Sequence, residues 1–372
     1  MALPLVPRAI AAQPWPALLS AAFLAAFGFV TLYSAAGGSL LPWAFPHAAR
    51  FGVFLGLALA ISYVRPSWFR EIVPYAYVGV MVLLVVVLAV GVVGGGARSW
   101  LDFGPIRLQP SELMKPILVI ALAAFYSAMP PRHIQTFGAI WPAGLMIGIP
   151  VVVILLQPDL GTSLLLTFSG ITTMFLAGLP LKWFIGGGVA VGGAVPAIFP
   201  FLMPHQQERI LILLDPSQDP LGAGYHITQS TIAIGSGGIT GQGYLNGTQS
   251  HLNFLPEQHT DFIFSAMAEE WGLLGGIAVL VGLGVLLRWG TRVAMDAKDR
   301  YEMLAAGGLT SIIFFYAAIN LMMVMGLAPV VGIPLPLLSY GGSAMMTVMI
   351  CLGLLMGIDR RTRRDRERRR GL

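Results

Sequence analysis

Charge is what this chain has least of. Only 10% of its 372 residues are Asp, Glu, Lys or Arg, against 56% hydrophobic. A water-soluble domain carries about a quarter charged residues, so a soluble globular class is excluded. Cysteine is almost as scarce. Cys351 stands alone, which rules out an intramolecular disulfide and leaves it as a small packing residue. There is no His-Glu-x-x-His and no Cys-x-x-Cys pair, so a dedicated zinc site has no ligand set. The glycine-rich piece 235–243 lacks the Gly-Lys-Ser/Thr ending of a phosphate loop and follows no strand pattern, so it reads as a close-packed irregular segment. Neither an internal repeat nor an inverted repeat of the transporter kind is visible.

What the chain does have is long apolar runs. Runs of about 17–25 residues each suit one bilayer crossing. Ten are present, at 17–36, 47–64, 72–93, 112–128, 138–156, 161–179, 183–203, 262–287, 303–326 and 341–358. The expected fold is all-α: a polytopic membrane protein of ten transmembrane helices, forming one integral membrane domain over 1–372. The first run is too long for a secretory signal and lacks a small-residue cleavage pattern, so it is expected to be retained. Gly188-x-x-x-Gly192 and Gly353-x-x-x-Gly357 have the spacing that lets helices approach closely, though 45 glycines make chance matches common.

Basic residues set the expected orientation. With both termini on one side, that side holds 17 of the 22 lysines and arginines, among them eight arginines after position 359. The positive-inside rule makes it cytoplasmic. The tail 359–372 is then a basic cytoplasmic segment lying against anionic membrane lipid. Nothing else in the chain supports nucleic-acid binding. The loops 94–111, 157–160 and 327–340 fall outside, together with the longest polar island, 204–261.

Polar groups concentrate on that outer side. Arg98, Asp102, Arg107, Gln109, Ser111, Glu112 and Lys115 surround the start of the fourth run. Glu112 and Lys115 are three apart, which puts them on one helix face and within pairing reach. Asp159 ends the fifth run, the polar stretch His205–Arg209 follows the seventh, and Glu257–Asp261 precede the eighth. Arg50 is an isolated charge in the second run. Mutual neutralisation is the plain reading of such charges. Asp261 fits it least, because no basic residue follows within ten positions and the next six residues are mostly apolar. A carboxylate in so dry a mouth has its pKa raised, which suits a general base. Carboxylates mixed with several cations at a lipid boundary suit a phosphorylated lipid substrate.

Longer motifs carry a resemblance. Arg98-Ser99-Trp100-Leu101 leads to Gln109-Pro110-Ser111-Glu112, and Gln157-Pro158-Asp159-Leu160-Gly161-Thr162-Ser163 follows. Then come Asp219-Pro220-Leu221-Gly222-Ala223-Gly224-Tyr225-His226 and the stretch from Gln229-Ser230 to Gly247-Thr248-Gln249. Phe254 to Phe262 and Pro334 to Ser343 complete the series. In these ordered blocks, over nearly its whole length, the chain resembles the SEDS family (shape, elongation, division and sporulation). Pro329-Val330-Val331-Gly332 is closest to the family's RodA branch. Gln258 departs from the arginine expected in many chains of that branch.

The resemblance implies a peptidoglycan glycosyltransferase of the bacterial inner membrane. It would polymerise lipid II at the outer face, serve cell elongation and shape, and work with a class B penicillin-binding protein. Asp261 is then the expected catalytic base. Arg50, Arg98, Lys115 and Arg209 are the expected cations for the leaving pyrophosphate, with Glu112 holding Lys115. Mg²⁺ or Mn²⁺ is a candidate at the phosphates, with Asp159, Glu208 and Asp261 as candidate ligands, although no spacing demonstrates a site. A lipid II flippase or a non-catalytic scaffold of the elongation complex are the alternatives. A flippase needs polar groups spread across the membrane, and most of these runs have bare middles.

Overall fold

The computed structural model describes residues 13–94, 97–102, 104, 107–201, 207, 222–252, 254–255 and 257–369. Each apolar run becomes a helix, because lipid offers no hydrogen bonds and a helix satisfies its own backbone. In chain order these are α1 (Trp15–Ala35), α2 (Ala44–Ile61), α3 (Pro66–Val90), α4 (Pro110–Ala128), α5 (Phe137–Leu155), α6 (Leu160–Leu176) and α7 (Leu181–Ile198). Two short helices follow, α8 (Ala223–Ser236) and α9 (Thr248–His251). The last three are α10 (Ile263–Asp296), α11 (Arg300–Val324) and α12 (Gly342–Arg369). Among the described residues eight helices are long and apolar enough to cross a membrane; α6 is a shorter apolar helix. The chain is a multi-span membrane protein.

Local chemistry explains several helix ends. Pro66 and Pro110 open α3 and α4, where a missing N–H costs nothing. Asp159 caps α6 by accepting from the Thr162 amide at 3.0 Å, and Asp299 caps α11 through Tyr301 at 3.2 Å. The eighth and tenth apolar runs were shorter than their helices. α10 continues to Asp296 and α12 to Arg369, because an apolar run marks hydrocarbon thickness, not the end of backbone hydrogen bonding. The basic tail, as far as Arg369, is therefore a helical extension. Arg361 pairs with Glu302 at 2.8 Å and Arg366 with Asp296 at 2.6 Å, which ties α12 to α11 and α10.

α4, α11 and α12 form the buried centre, while α2, α3 and α5 present much apolar surface outward. Of the two small-residue motifs, Gly353 lies in a tight crossing of α12 over α2, where a Cβ would sit 2.7 Å from the Ala58 carbonyl oxygen. Gly188 and Gly192 face open space. The polar segment before α4 adds a small antiparallel sheet that the apolar pattern did not forecast. It comprises β1 (Val92–Gly94), β2 (Ala97–Asp102) and β3 (Arg107–Leu108) in that order.

The glycine-rich piece has a structural task. α10 breaks at Gly272, whose φ is +61°. Into the break packs the loop 237–243. The Gln242 and Gly243 amides donate to the Glu269 and Glu270 carbonyls, at 2.9 and 3.1 Å. The Leu273 and Leu274 amides donate to the Gly238 and Ile239 carbonyls, at 2.9 and 3.2 Å. Broken helix and irregular loop thus satisfy each other's backbone, the condition for irregular chain at membrane depth. No side chain fits at the seam: a Cβ on Gly241 would lie 2.0 Å from the Glu270 carbonyl oxygen.

Candidate active site

Asp261 lies in the turn that feeds α10. The turn begins at Glu257, which has a positive φ of 50°, and the Thr260 amide bonds back to the Glu257 carbonyl at 3.0 Å. Phe262 then plugs into the core, 1% exposed. Asp261 is left partly buried at the mouth. Its carboxylate faces Gly332 of the loop before α12, where an added Cβ would meet Oδ2 at 3.5 Å. Burial first, and the Glu257 charge second, push the Asp261 carboxyl up to about 7.

The loop 327–340 gathers the other groups around this carboxylate. The Ile333 carbonyl accepts from Asn320, and so does the Asp261 carbonyl. The Val331 carbonyl packs on Gly161 at the start of α6, two residues after Asp159. At its far end the Tyr340 amide donates to the His259 carbonyl at 2.9 Å. The Arg50 guanidinium lies 4.5 Å above the Tyr340 ring, and His259 stacks on Trp43 at 4.3 Å between centroids. Arg50 thus reaches the Asp261 segment through one aromatic ring. Burial lowers the His259 pKa, and the nearby Glu257 opposes it.

Glu112 and Lys115 do pair, at 2.7 Å, but deep in the bundle: the lysine side chain is 1% exposed. Lys115 Nζ also bonds Tyr316 Oη at 2.6 Å. The other oxygen of Glu112 accepts from Tyr316 and, at 2.8 Å, from Thr347. This closed network joins α4, α11 and α12. It lies beneath the Asp261 contact, since Tyr316 and Asn320 are four apart on one face of α11, about 6 Å along its axis.

The remaining expected residues are spread more widely. Asp159 accepts from Gln109 at 3.0 Å as well as capping α6. Burial raises its pKa, while the Thr162 amide and Lys115 pull it back. Arg98 projects from β2 and is exposed. Among the described residues neither Arg50 nor Arg98 has a carboxylate within ion-pair distance, whereas Arg107 pairs with Asp102 at 3.2 Å. Arg209 and Glu208 lie outside the described residues. Gln258, at the atypical position, is 4% exposed and donates to the Ala35 carbonyl at 3.3 Å. No group of three or more His, Cys, Asp or Glu side chains among the described residues is placed to hold a metal ion.

Sequence reasoning passed over Glu269 and Glu270, two carboxylates inside an apolar run. Glu269 accepts from the Thr248 hydroxyl and the Gln249 amide, at 3.0 and 2.8 Å, and so fixes the start of α9. Glu270 accepts from the Ser34 hydroxyl of α1. The rule that singled out Asp261 applies to both, since intramembrane carboxylates are rarely idle. Tyr316 and Thr347 gave no such signal, because isolated hydroxyls in apolar runs are common.

Fold and site together define a polytopic membrane protein with a partly buried carboxylate, Asp261, in the turn that feeds one of its long helices. A family profile described as "Cell cycle protein" (FtsW, RodA, SpoVE) matches residues 16–364, and the chain belongs to this family, the SEDS proteins of the sequence reading. It is 43% identical over 311 residues to peptidoglycan glycosyltransferase MrdB of Escherichia coli K12, which covers 82% of this chain and 83% of that protein. It is 37% identical to stage V sporulation protein E of Bacillus subtilis, over 76% of this chain and 77% of that one. Among solved structures, a chain of a peptidoglycan synthase complex that coordinates polymerization and crosslinking superposes with a TM-score of 0.82 at 32% identity. The match covers 94% of this chain and 98% of that one. Thermus thermophilus rod shape determining protein RodA gives 0.69 at 27%, over 94% and 97%.

Proposed function

We propose that this protein is a peptidoglycan glycosyltransferase that polymerises lipid II into glycan strands for cell elongation, with Asp261 as general base. What supports the catalytic reading is the Asp261 carboxyl, partly buried against Gly332, where burial pushes its pKa up to about 7 and Arg50 reaches its segment through Tyr340. The names of the relatives support the reaction class. The 4-hydroxyl of one lipid-linked disaccharide attacks the anomeric carbon of another. The new C–O bond forms as the bond to undecaprenyl pyrophosphate breaks, and inversion turns an α-linked donor into a β-linkage. The hydroxyl proton passes to Asp261, whose ordinary relatives are too weak as bases for this work. Developing charge on the pyrophosphate falls to arginine, which grips phosphate in a bidentate fork.

Among the cations, Arg50 is the first choice, because its guanidinium is held by Tyr340 and none of the described carboxylates pairs with it. Arg98 and Arg209 are further candidates. Lys115 and Glu112 act from behind: their polar atoms are spent on each other, Tyr316 and Thr347, so they brace α4 against α11 and α12 and bias the field at the mouth. Asp159 holds the α6 start and Gln109 beside the site. We assign no step to Mg²⁺ or Mn²⁺, since the described donors do not converge on one point.

The Asp261 end is the outer face of the bacterial inner membrane in this reading, with both termini cytoplasmic, as the arginine distribution implies. The solved synthase complex supports a class B penicillin-binding protein as partner. A flippase or scaffold role is the alternative, and purified components separate them. Purified protein with lipid II should yield long glycan chains, and more with the partner present. Translocation of lipid II in vesicles with no polymer under any condition would return the protein to the transporter class.

A further inference from the structure

Asn320 touches the catalytic segment without entering the reaction. It is fully buried in α11, at 0% exposure. Its Nδ2 donates to two backbone carbonyls at once: Asp261 at 2.8 Å and Ile333 at 2.7 Å. Both neighbours are acceptors, so only the amide nitrogen satisfies them. One side chain therefore fixes the base's own residue and the strand of loop beside it. One residue before Ile333 stands Gly332, with φ +69°, against which the Asp261 carboxylate packs. Here a side chain would crowd the carboxylate and strain the backbone.

We propose that Asn320 is a positioning residue for Asp261: its forked amide locks the Asp261 and Ile333 carbonyls together, so the carboxylate is held against Gly332 at the angle the acceptor hydroxyl requires. The inference rests on Asp261 being the base. The turn that holds Asp261 is anchored on either side, at Gln258, His259 and Phe262, but among the described hydrogen bonds Asn320 is the one that reaches Asp261 itself from another element. An error of about 1 Å at a reacting group costs about 10²-fold in rate. The same clamp keeps the mouth dry. Among the described groups around Asp261, Glu257 and His259 lie on its own segment, and His226 of α8 stacks on Phe262 at 5.9 Å. Asn320 and Gly332 contribute no charge. Loss of the clamp thus acts through solvent access, not through a removed charge.

The test uses the full-length protein in detergent with lipid II as substrate, comparing Asn320→Ala, Asn320→Ser and Asp261→Asn. Asn320→Ala should lower kcat by about 10²-fold with KM for lipid II nearly unchanged. The acid limb of its pH–rate profile should move to lower pH, as water reaches the carboxylate. Asn320→Ser, which keeps one donor, should recover part of kcat. A merely structural asparagine would change yield and melting temperature but not the pH limb of the molecules that fold. If Asp261→Asn turns over at the native rate, the base assignment fails and this inference with it. If Asp261→Asn is inactive while Asn320→Ala keeps native kcat and pH limb, or loses only KM, the positioning role alone is wrong. Failure of both Asn320 variants to fold would make the residue a structural strut and also overturn the proposal.

Discussion

Removing the charge of Lys115 should destabilise the protein, and removing Glu112 as well should restore much of what is lost. Lys115 Nζ lies 2.7 Å from Glu112 and 2.6 Å from Tyr316, with the lysine side chain 1% and the glutamate side chain 6% exposed. Breaking such a pair from one side costs about 3–5 kcal/mol, because a buried charge is left behind. Tyr316 and Thr347 still donate to Glu112 in Lys115→Met. Hydrogen bonds to a charge are each worth about 1.5–3 kcal/mol, so the loss should fall near about 3 kcal/mol. In the double variant Glu112→Gln/Lys115→Met, the methionine fills the lysine stem's volume and the amide oxygen still accepts from both hydroxyls. Its cost should be about 1 kcal/mol or less, giving a coupling of about 2 kcal/mol or more. Thermal unfolding of the four proteins in one detergent measures the cycle. Activity should follow stability and return in part in the double variant. Additivity within about 0.5 kcal/mol would refute a coupled buried pair. A well-folded double variant with no activity would instead return Lys115 to the pyrophosphate.

Four further outcomes follow. Gly241→Ala places a Cβ 2.0 Å from the Glu270 carbonyl at φ +82°, so it should loosen the loop from α10 at a cost of about 1–3 kcal/mol. Gly186→Ala, facing open space, should be neutral in the same melting assay. Cysteines at the exposed positions Ser39 and Asn246, in a Cys351→Ala background, should react with an impermeant thiol reagent in intact cells; labelling only after the membrane is breached would invert the topology. Asp261→Asn should be more stable than the native protein, and more so at pH 8 than at pH 5. The sign follows from a folded pKa of about 7 above the ordinary carboxylate value. Burying the ionised form costs stability that grows as pH rises from about 4 and levels off above about 7.

The apolar helices were legible because lipid turns apolar length into helix length, and the partial burial of Asp261 because a carboxylate beside an apolar run has little water around it. The Glu112–Lys115 contact followed from helical spacing, but its depth did not: spacing fixes a face and says nothing about which helices cover it. Tyr316 and Thr347, which close that network from α11 and α12, lie 201 and 235 residues from their partners Lys115 and Glu112. No local pattern brings them there. The sheet at 92–108 was missed for a related reason, since its strands are too short to show alternation. The break at Gly272 stayed hidden inside a run that reads as one helix until the loop that fills it is seen.

The central claim is that Asp261 must be ionised to take the acceptor proton, and the pH–rate profile tests it most directly. For a base titrating at about 7, kcat on lipid II should fall about tenfold from pH 8 to pH 6. Asp261→Asn should lose about 10²-fold or more at pH 8, and its residual rate should no longer follow that limb. An Asn variant that makes long glycan chains at the native rate, or a native profile flat from pH 6 to pH 8, would contradict the account.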